Sequence, residues 1–100
     1  MVSRVNVLQT EPDRIADVAR AVRDVVHSGI RGEAGYLGYI VLGDGETGKA
    51  LGVTLWESEA ARELSDTKAR EIRPRVEQET GGTMQSVEPF DVLFYDVAKA

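Results

Sequence analysis

Two runs of this 100-residue chain, Tyr36 to Leu42 and Leu51 to Leu55, carry almost no polar side chain on either set of alternating positions. Successive side chains of a β-strand point to opposite faces of its sheet, so strands built from these runs offer apolar surface in both directions. A sheet with one face in water alternates apolar with polar residues instead. Both faces of this sheet must therefore be covered, and the chain has to supply or recruit two covering layers.

The runs are joined by Gly43-Asp44-Gly45-Glu46-Thr47-Gly48-Lys49, a glycine-rich hairpin connection. Upstream, Arg4 to Gln9 is rich in β-branched and apolar residues and predicts a strand. Thr10 and Asp13 follow it with the spacing of a capping box. Ile15, Val18, Ala19, Val22 and Val26 then recur at helical spacing and predict an amphipathic helix. That helix is expected to stop near Ser28-Gly29, where glycine can adopt the left-handed conformation. Downstream, Ser58 is the expected N-cap of a second helix through Glu59, Ala60, Ala61 and Leu64. Pro74 predicts a break near Ile72, because its ring clashes with the carbonyl of Arg70 and its nitrogen donates no hydrogen bond. A short continuing helix is expected from about Pro74 to just before Gly81-Gly82. The last strand should run from about Met84 to Val97, with Glu88-Pro89 at a bulge or a sheet edge.

The resulting order, βαββαβ, is that of an α+β ferredoxin-like fold: a four-stranded antiparallel sheet with two helices on one face. A chain of this length makes one domain, residues 1–100. Two helices shelter one side of the sheet only. The economical cover for the other side is a second copy packed sheet to sheet about a two-fold axis, a homodimer.

Composition narrows the function. With 42% hydrophobic and 29% charged residues the chain reads as an ordinary globular domain. Its longest apolar runs fall far short of a bilayer span, and Met1-Val2-Ser3-Arg4 lacks the basic segment and apolar core of a secretion signal, so a cytoplasmic, non-membrane protein is expected. A formal charge of -5, with basic residues scattered beside acids as in Arg62-Glu63 and Arg70-Glu71, argues against nucleic acid. There is no cysteine and one histidine, His27, which argues against disulfides, a cysteine nucleophile and a structural zinc site. No cofactor is expected.

The glycines and aromatics of Gly35-Tyr36-Leu37-Gly38-Tyr39, the Glu46-Thr47-Gly48-Lys49 turn, the run Val53-Thr54-Leu55-Trp56-Glu57-Ser58-Glu59 leading into a helix, and the closing Ser86-Val87-Glu88-Pro89-Phe90-Asp91-Val92 together resemble the antibiotic-biosynthesis-monooxygenase-like family. The resemblance implies a dimeric α+β barrel with a pocket between each sheet and its helices. Relatives include cofactor-independent monooxygenases of aromatic polyketide pathways and haem-degrading enzymes. For haem degradation the resemblance implies a first-strand asparagine, matched by Asn6, and a helix tryptophan and iron-ligating histidine, which fall at about Ser65 and Arg75. Arginine has no lone pair to give to iron, so that chemistry is disfavoured. For the cofactor-independent oxygenases it implies a tryptophan, matched by Trp56, with an asparagine four residues before it and a tyrosine six after it. Those two positions hold Gly52 and Arg62, and Tyr36, Tyr39 or Tyr95 could supply the phenol from other strands.

The candidate pocket is therefore Asn6, Trp56, Tyr36, Tyr39, Ser65 and Lys68. Asn6 shares strand parity with Arg4 and Leu8, opposite Val5 and Val7, and so points towards the helices if the valines face the dimer barrel. Ser65 and Lys68 lie in the helical stripe Ala61, Ser65, Lys68, Ile72, where a lysine could meet an anionic or enolic oxygen. Set against this, Trp56 and Asn6 can be satisfied core residues, and Lys68 can extend its head to water. Three readings stay open: an oxygenase acting on a phenolic or quinol-like polyketide, a module that binds a small hydrophobic or aromatic molecule without turnover, and a structural dimer with no ligand.

Overall fold

The computed structural model describes residues 1–98. Its sheet has the order β2 (Tyr36–Gly43), β3 (Lys49–Trp56), β1 (Val2–Gln9), β4 (Thr83–Asp91), all pairs antiparallel. This is the ferredoxin-like arrangement, with β1 and β3 central. Alternation along β1 sorts the side chains: Arg4 and Leu8 are buried beneath the helices, whereas Val5 and Val7 keep partial exposure on the other face. The core joins Leu8, Ala50 and Trp56 from the sheet to Val18, Val25 and Val76 from the helices.

The first helical rod runs through residues 12–30. It comprises a 3-10 turn (Pro12–Arg14), α1 (Ile15–Ala21), a π-helical stretch (Val22–His27) and α2 (Ser28–Ile30). The wider π turn changes which residues face inward. Val18, Ala21, Val25 and Ile30 are buried, the last step being five residues, while Ala19 of the expected stripe is exposed. The rod also continues past the expected stop at Ser28-Gly29. Gly29 is there for close approach rather than for a cap: a Cβ would lie 2.7 Å from Cδ1 of Ile72. Nor does Thr10 form a capping box with Asp13. Its hydroxyl donates to the Thr80 carbonyl at 3.0 Å, tying the end of β1 to the end of the last helix.

Ser58 caps α3 (Glu59–Leu64) as expected, its hydroxyl accepting from the Ala61 N–H at 3.1 Å. The break expected near Ile72 lies instead at Ser65, and α4 (Asp66–Thr80) passes through Pro74 unbroken. Pro74 and Arg70 both sit on the exposed side of α4, where water can serve the carbonyl that proline leaves without a donor. Gly81, at φ 69°, ends α4 in the left-handed conformation. β4 is an edge strand, which accommodates Pro89, but the register shift falls between Val7 and Leu8, opposite Gln85, rather than at Glu88-Pro89. The strand stops at Asp91, the partner of Val2, instead of at Val97, with one further backbone bond beyond it, from the Val92 N–H to the Met1 carbonyl at 3.1 Å. No helix among the described residues is long and apolar enough to cross a membrane.

Gly48 closes the β2–β3 hairpin at φ 78°, with its ideal Cβ position 2.0 Å from the Thr10 carbonyl oxygen. Gly48→Ala should therefore cost more than the roughly 1–3 kcal/mol of a strained left-handed residue, because main chain blocks the new methyl as well. Urea denaturation checks this, and a midpoint equal to that of the native chain contradicts it.

Candidate functional site

A cavity of about 50 Å³ lies between the sheet and the helices. Its floor includes Asn6 of β1, Tyr39 of β2 and Gly52 of β3, and its roof includes Val22 and Val26 of the π stretch with Ile72 and Arg73 of α4. Arg73 apart, the roof is apolar because the helices turn their valine and isoleucine stripe inward, so the other polar groups are confined to a few floor and corner positions.

Asn6 and Gly52 are paired across β1 and β3, and Asn6 Nδ2 donates to the Gly52 carbonyl at 3.3 Å. Gly52 has a second effect. A Cβ there would stand 2.8 Å from the Tyr39 hydroxyl, so the missing side chain is the space that the Tyr39 ring tip occupies. No hydrogen bond engages that hydroxyl or Asn6 Oδ1 among the described residues, leaving both on the cavity floor to meet a guest. Burial, and after it the neighbouring Tyr36, pushes the Tyr39 phenol up to about 12, so it stays a neutral donor across the physiological range.

Two guanidinium groups close one end. Arg4, only 5% exposed, donates from Nη2 to the Arg62 carbonyl at 2.7 Å and to Ser65 Oγ at 2.9 Å, and lies 5.7 Å from the centroid of the Trp56 ring. Burial, and after it the charge of Arg73, holds Arg4 below its ordinary value, with Asp66 opposing. Arg73 is likewise lowered, first by burial. Asp66 Oδ2 is bound by Arg70 at 2.8 Å, while its Oδ1 lies 3.8 Å from Arg4 and 3.9 Å from Arg73.

Of the six residues singled out in the sequence, the structure brings two to the cavity wall, Asn6 and Tyr39. Trp56 is wholly buried beside it, its Nε1 donating to Thr54 Oγ1 at 2.9 Å. Tyr36 packs edge-on against Trp56, with ring centroids 5.8 Å apart, and is not on the wall. Ser65 is buried and committed, accepting from Arg4 and donating to the Arg62 carbonyl at 2.6 Å. Lys68 is exposed, because the buried stripe of the second helical region is Ala61, Ser65, Ile72, Val76 and Thr80, which leaves position 68 outside. Sequence reasoning passed over Arg4 and Arg73. Arg4 could have been found through its shared parity with Asn6, and Arg73 through its place next to Ile72.

The architecture and its cleft define an α+β sheet protein with a cavity between its sheet and its helices. The chain belongs to the antibiotic biosynthesis monooxygenase family, whose sequence profile matches residues 1–81. It is 29% identical over 90 residues to the uncharacterized protein Rv2557 of Mycobacterium tuberculosis; the match covers 90% of this chain but 40% of that protein. In structure it is similar to the ActVA-Orf6 monooxygenase of Streptomyces coelicolor, solved with nanaomycin D, with a TM-score of 0.75, 15% identity, and 98% and 92% of the two chains covered. It is also similar to the heme-degrader MhuD of Mycobacterium tuberculosis, with a TM-score of 0.68, 20% identity, and 98% and 100% covered. These structural likenesses are likenesses of fold.

The Tyr39 environment gives a pH signature. Between pH 10, where an unfolded tyrosine ionises, and about 12, where Tyr39 does, the unfolded chain releases a proton that the folded chain retains. Stability should therefore fall as pH rises through this window, by an amount on the order of 2 kcal/mol, and level off above it. Tyr39→Phe removes that contribution. A denaturation series showing the same alkaline slope in the variant contradicts the assignment.

Proposed function

We propose that this chain is a cofactor-independent monooxygenase acting on an electron-rich aromatic enol or phenol held in the helix–sheet cavity. The observation that carries the reading is the pair of uncommitted polar groups, the Tyr39 hydroxyl and Asn6 Oδ1, set on the floor of an otherwise apolar cleft. Such a pair orients a planar apolar guest by its oxygen. The neutral Tyr39 phenol donates to the oxyanion that forms when the substrate loses its acidic proton to water, and Asn6 Oδ1 accepts from a second hydroxyl. The substrate anion then reduces oxygen itself. With an anthrone as substrate, a C–OO bond forms at the activated methylene, the O–O bond breaks, and one oxygen remains as a carbonyl while the other leaves as water.

A ring-sized guest has to widen the cleft, since 50 Å³ is well below the roughly 150 Å³ that admits benzene. The wall suited to yielding is the π stretch carrying Val22 and Val26, whose hydrogen bonding departs from the regular helix. Haem does not fit this site: the cavity wall carries no histidine, and His27 lies on the first helical rod beside Tyr36, with ring centroids 6.3 Å apart. Binding without turnover is favoured by Gly52 and Arg62, which stand where the family resemblance implies an asparagine and a tyrosine; Arg62 is engaged structurally, donating to the Ser3 carbonyl at 3.2 Å.

The proposal includes a two-copy assembly. Leu42, Ile40 and Phe90 are 52%, 41% and 51% exposed on strands whose helix-facing sides are covered, and a partner's equivalent face would cover them.

Oxygen uptake with anthrone tests the chemistry. The native chain should consume oxygen above the buffer rate, and Tyr39→Phe should lower kcat by about 10²-fold, the usual effect of removing an oxyanion donor. Trp56→Phe should lower stability while leaving the rate, because Trp56 lies off the wall. Native uptake at the buffer rate, with retained affinity for the anthrone, selects the binding reading. The assembly has its own check: the Tm of the native chain should rise with protein concentration, and that of Ile40→Asp should not. A concentration-independent native Tm contradicts the two-copy proposal.

A further inference from the structure

Arg73 carries an anomaly that its role in the fold does not account for. Its Nε and Nη2 are both buried, and neither has a hydrogen-bond partner among the described residues. Buried guanidinium donors left without acceptors are costly, and native proteins keep few of them. The nearest carboxylate oxygen, Asp66 Oδ1, is 3.9 Å from Nη2, beyond hydrogen-bond reach. Asp66 is also shared: Arg70 binds its other oxygen at 2.8 Å and Arg4 stands 3.8 Å away. Three guanidinium groups thus face one carboxylate, leaving a local surplus of positive charge inside a chain whose formal charge is -5.

The two idle donors share one edge of the guanidinium plane, the side-on edge whose parallel N–H bonds match the two oxygens of a carboxylate. Arg73 is part of the cavity wall, beside Ile72, Val22 and Val26. From this we infer that Arg73 is the anion-recognition residue of the cavity, and that the molecule it takes is an organic carboxylate whose apolar body lies against that valine and isoleucine wall. The inference rests on the cavity being a ligand site, as proposed above, but not on oxygen chemistry. It narrows the substrate class to an aromatic acid, with the carboxylate at the Arg73 end and the reacting ring over Asn6 and Tyr39. The acidic exterior works against large polyanions, so selection falls on a small anion able to enter the cleft.

Calorimetric titration of the full chain with benzoate and with its neutral isostere benzamide tests this at low salt. Benzoate should bind at least about tenfold more tightly than benzamide, a modest outcome for a desolvated bidentate pair. Arg73→Met should abolish that preference, and Arg73→Lys, which keeps the charge without the fork, should retain only part of it. Arg73→Met should have a Tm no lower than the native chain, since it removes an unpaired buried charge, so loss of binding cannot be assigned to unfolding. Equal affinities for the two probes, no heat with either, or an undiminished preference in Arg73→Met would each overturn the inference. Inorganic phosphate binding as tightly as benzoate would overturn the organic-carboxylate assignment in favour of a general anion site. Anthrone has no carboxylate, so its oxidation and the benzoate preference fail or succeed independently.

Discussion

A sheet with apolar side chains on both faces is the constraint from which the rest follows. Strand alternation divides β1 between two environments, and a slip of one residue would exchange them. In the observed register Arg4, Asn6 and Leu8 face the helices, while Val5 and Val7 face the side that the chain's own helices do not cover. Arg4 and Asn6 thus enter the covered layer, while Val5 and Val7 are left outside it. That distribution is the reverse of what a solitary sheet in water would use, and it makes sense when the uncovered side meets another apolar surface.

Within the covered layer, Arg4 couples the sheet to the joint between α3 and α4. Its hydrogen bonds to the Arg62 carbonyl and to Ser65 hold the place where the second helical region bends, and its guanidinium lies over the Trp56 ring. Buried charge contributes little net stability when its desolvation is counted, but it is specific about geometry. Here it fixes the start of α4, and α4 in turn carries Ile72 and Arg73 to the cavity. A cation at one end and the polar pair Asn6 and Tyr39 on the floor give an apolar cleft a direction.

The sequence was most legible where one period governs. Strand order, the β2–β3 hairpin, the Ser58 cap and the glycine stop at Gly81 follow from local chemistry that tertiary contacts did not override. It was less legible where packing chose among local options. The π stretch at Val22–His27 lengthens the last buried step, from Val25 to Ile30, to five residues, while the expected stripe took in the exposed Ala19 and left out Val25, seven residues from Val18. Pro74 reads as a break, yet its exposed setting lets α4 continue. At the site, Asn6 and Tyr39 were visible from parity and residue type, while Lys68 was one position off the buried stripe. Arg73 was hidden because a charge in a helix is ordinarily solvated, and only the three-dimensional inventory of donors and acceptors marks it as unusual.

Were the bare side of the sheet left unsheltered, the valines of β1 and the exposed Ile40, Leu42 and Phe90 would be wet. Sedimentation equilibrium of the native chain at micromolar concentration measures this most directly. The account predicts a particle of twice the chain mass. A particle of single-chain mass across that range would contradict it.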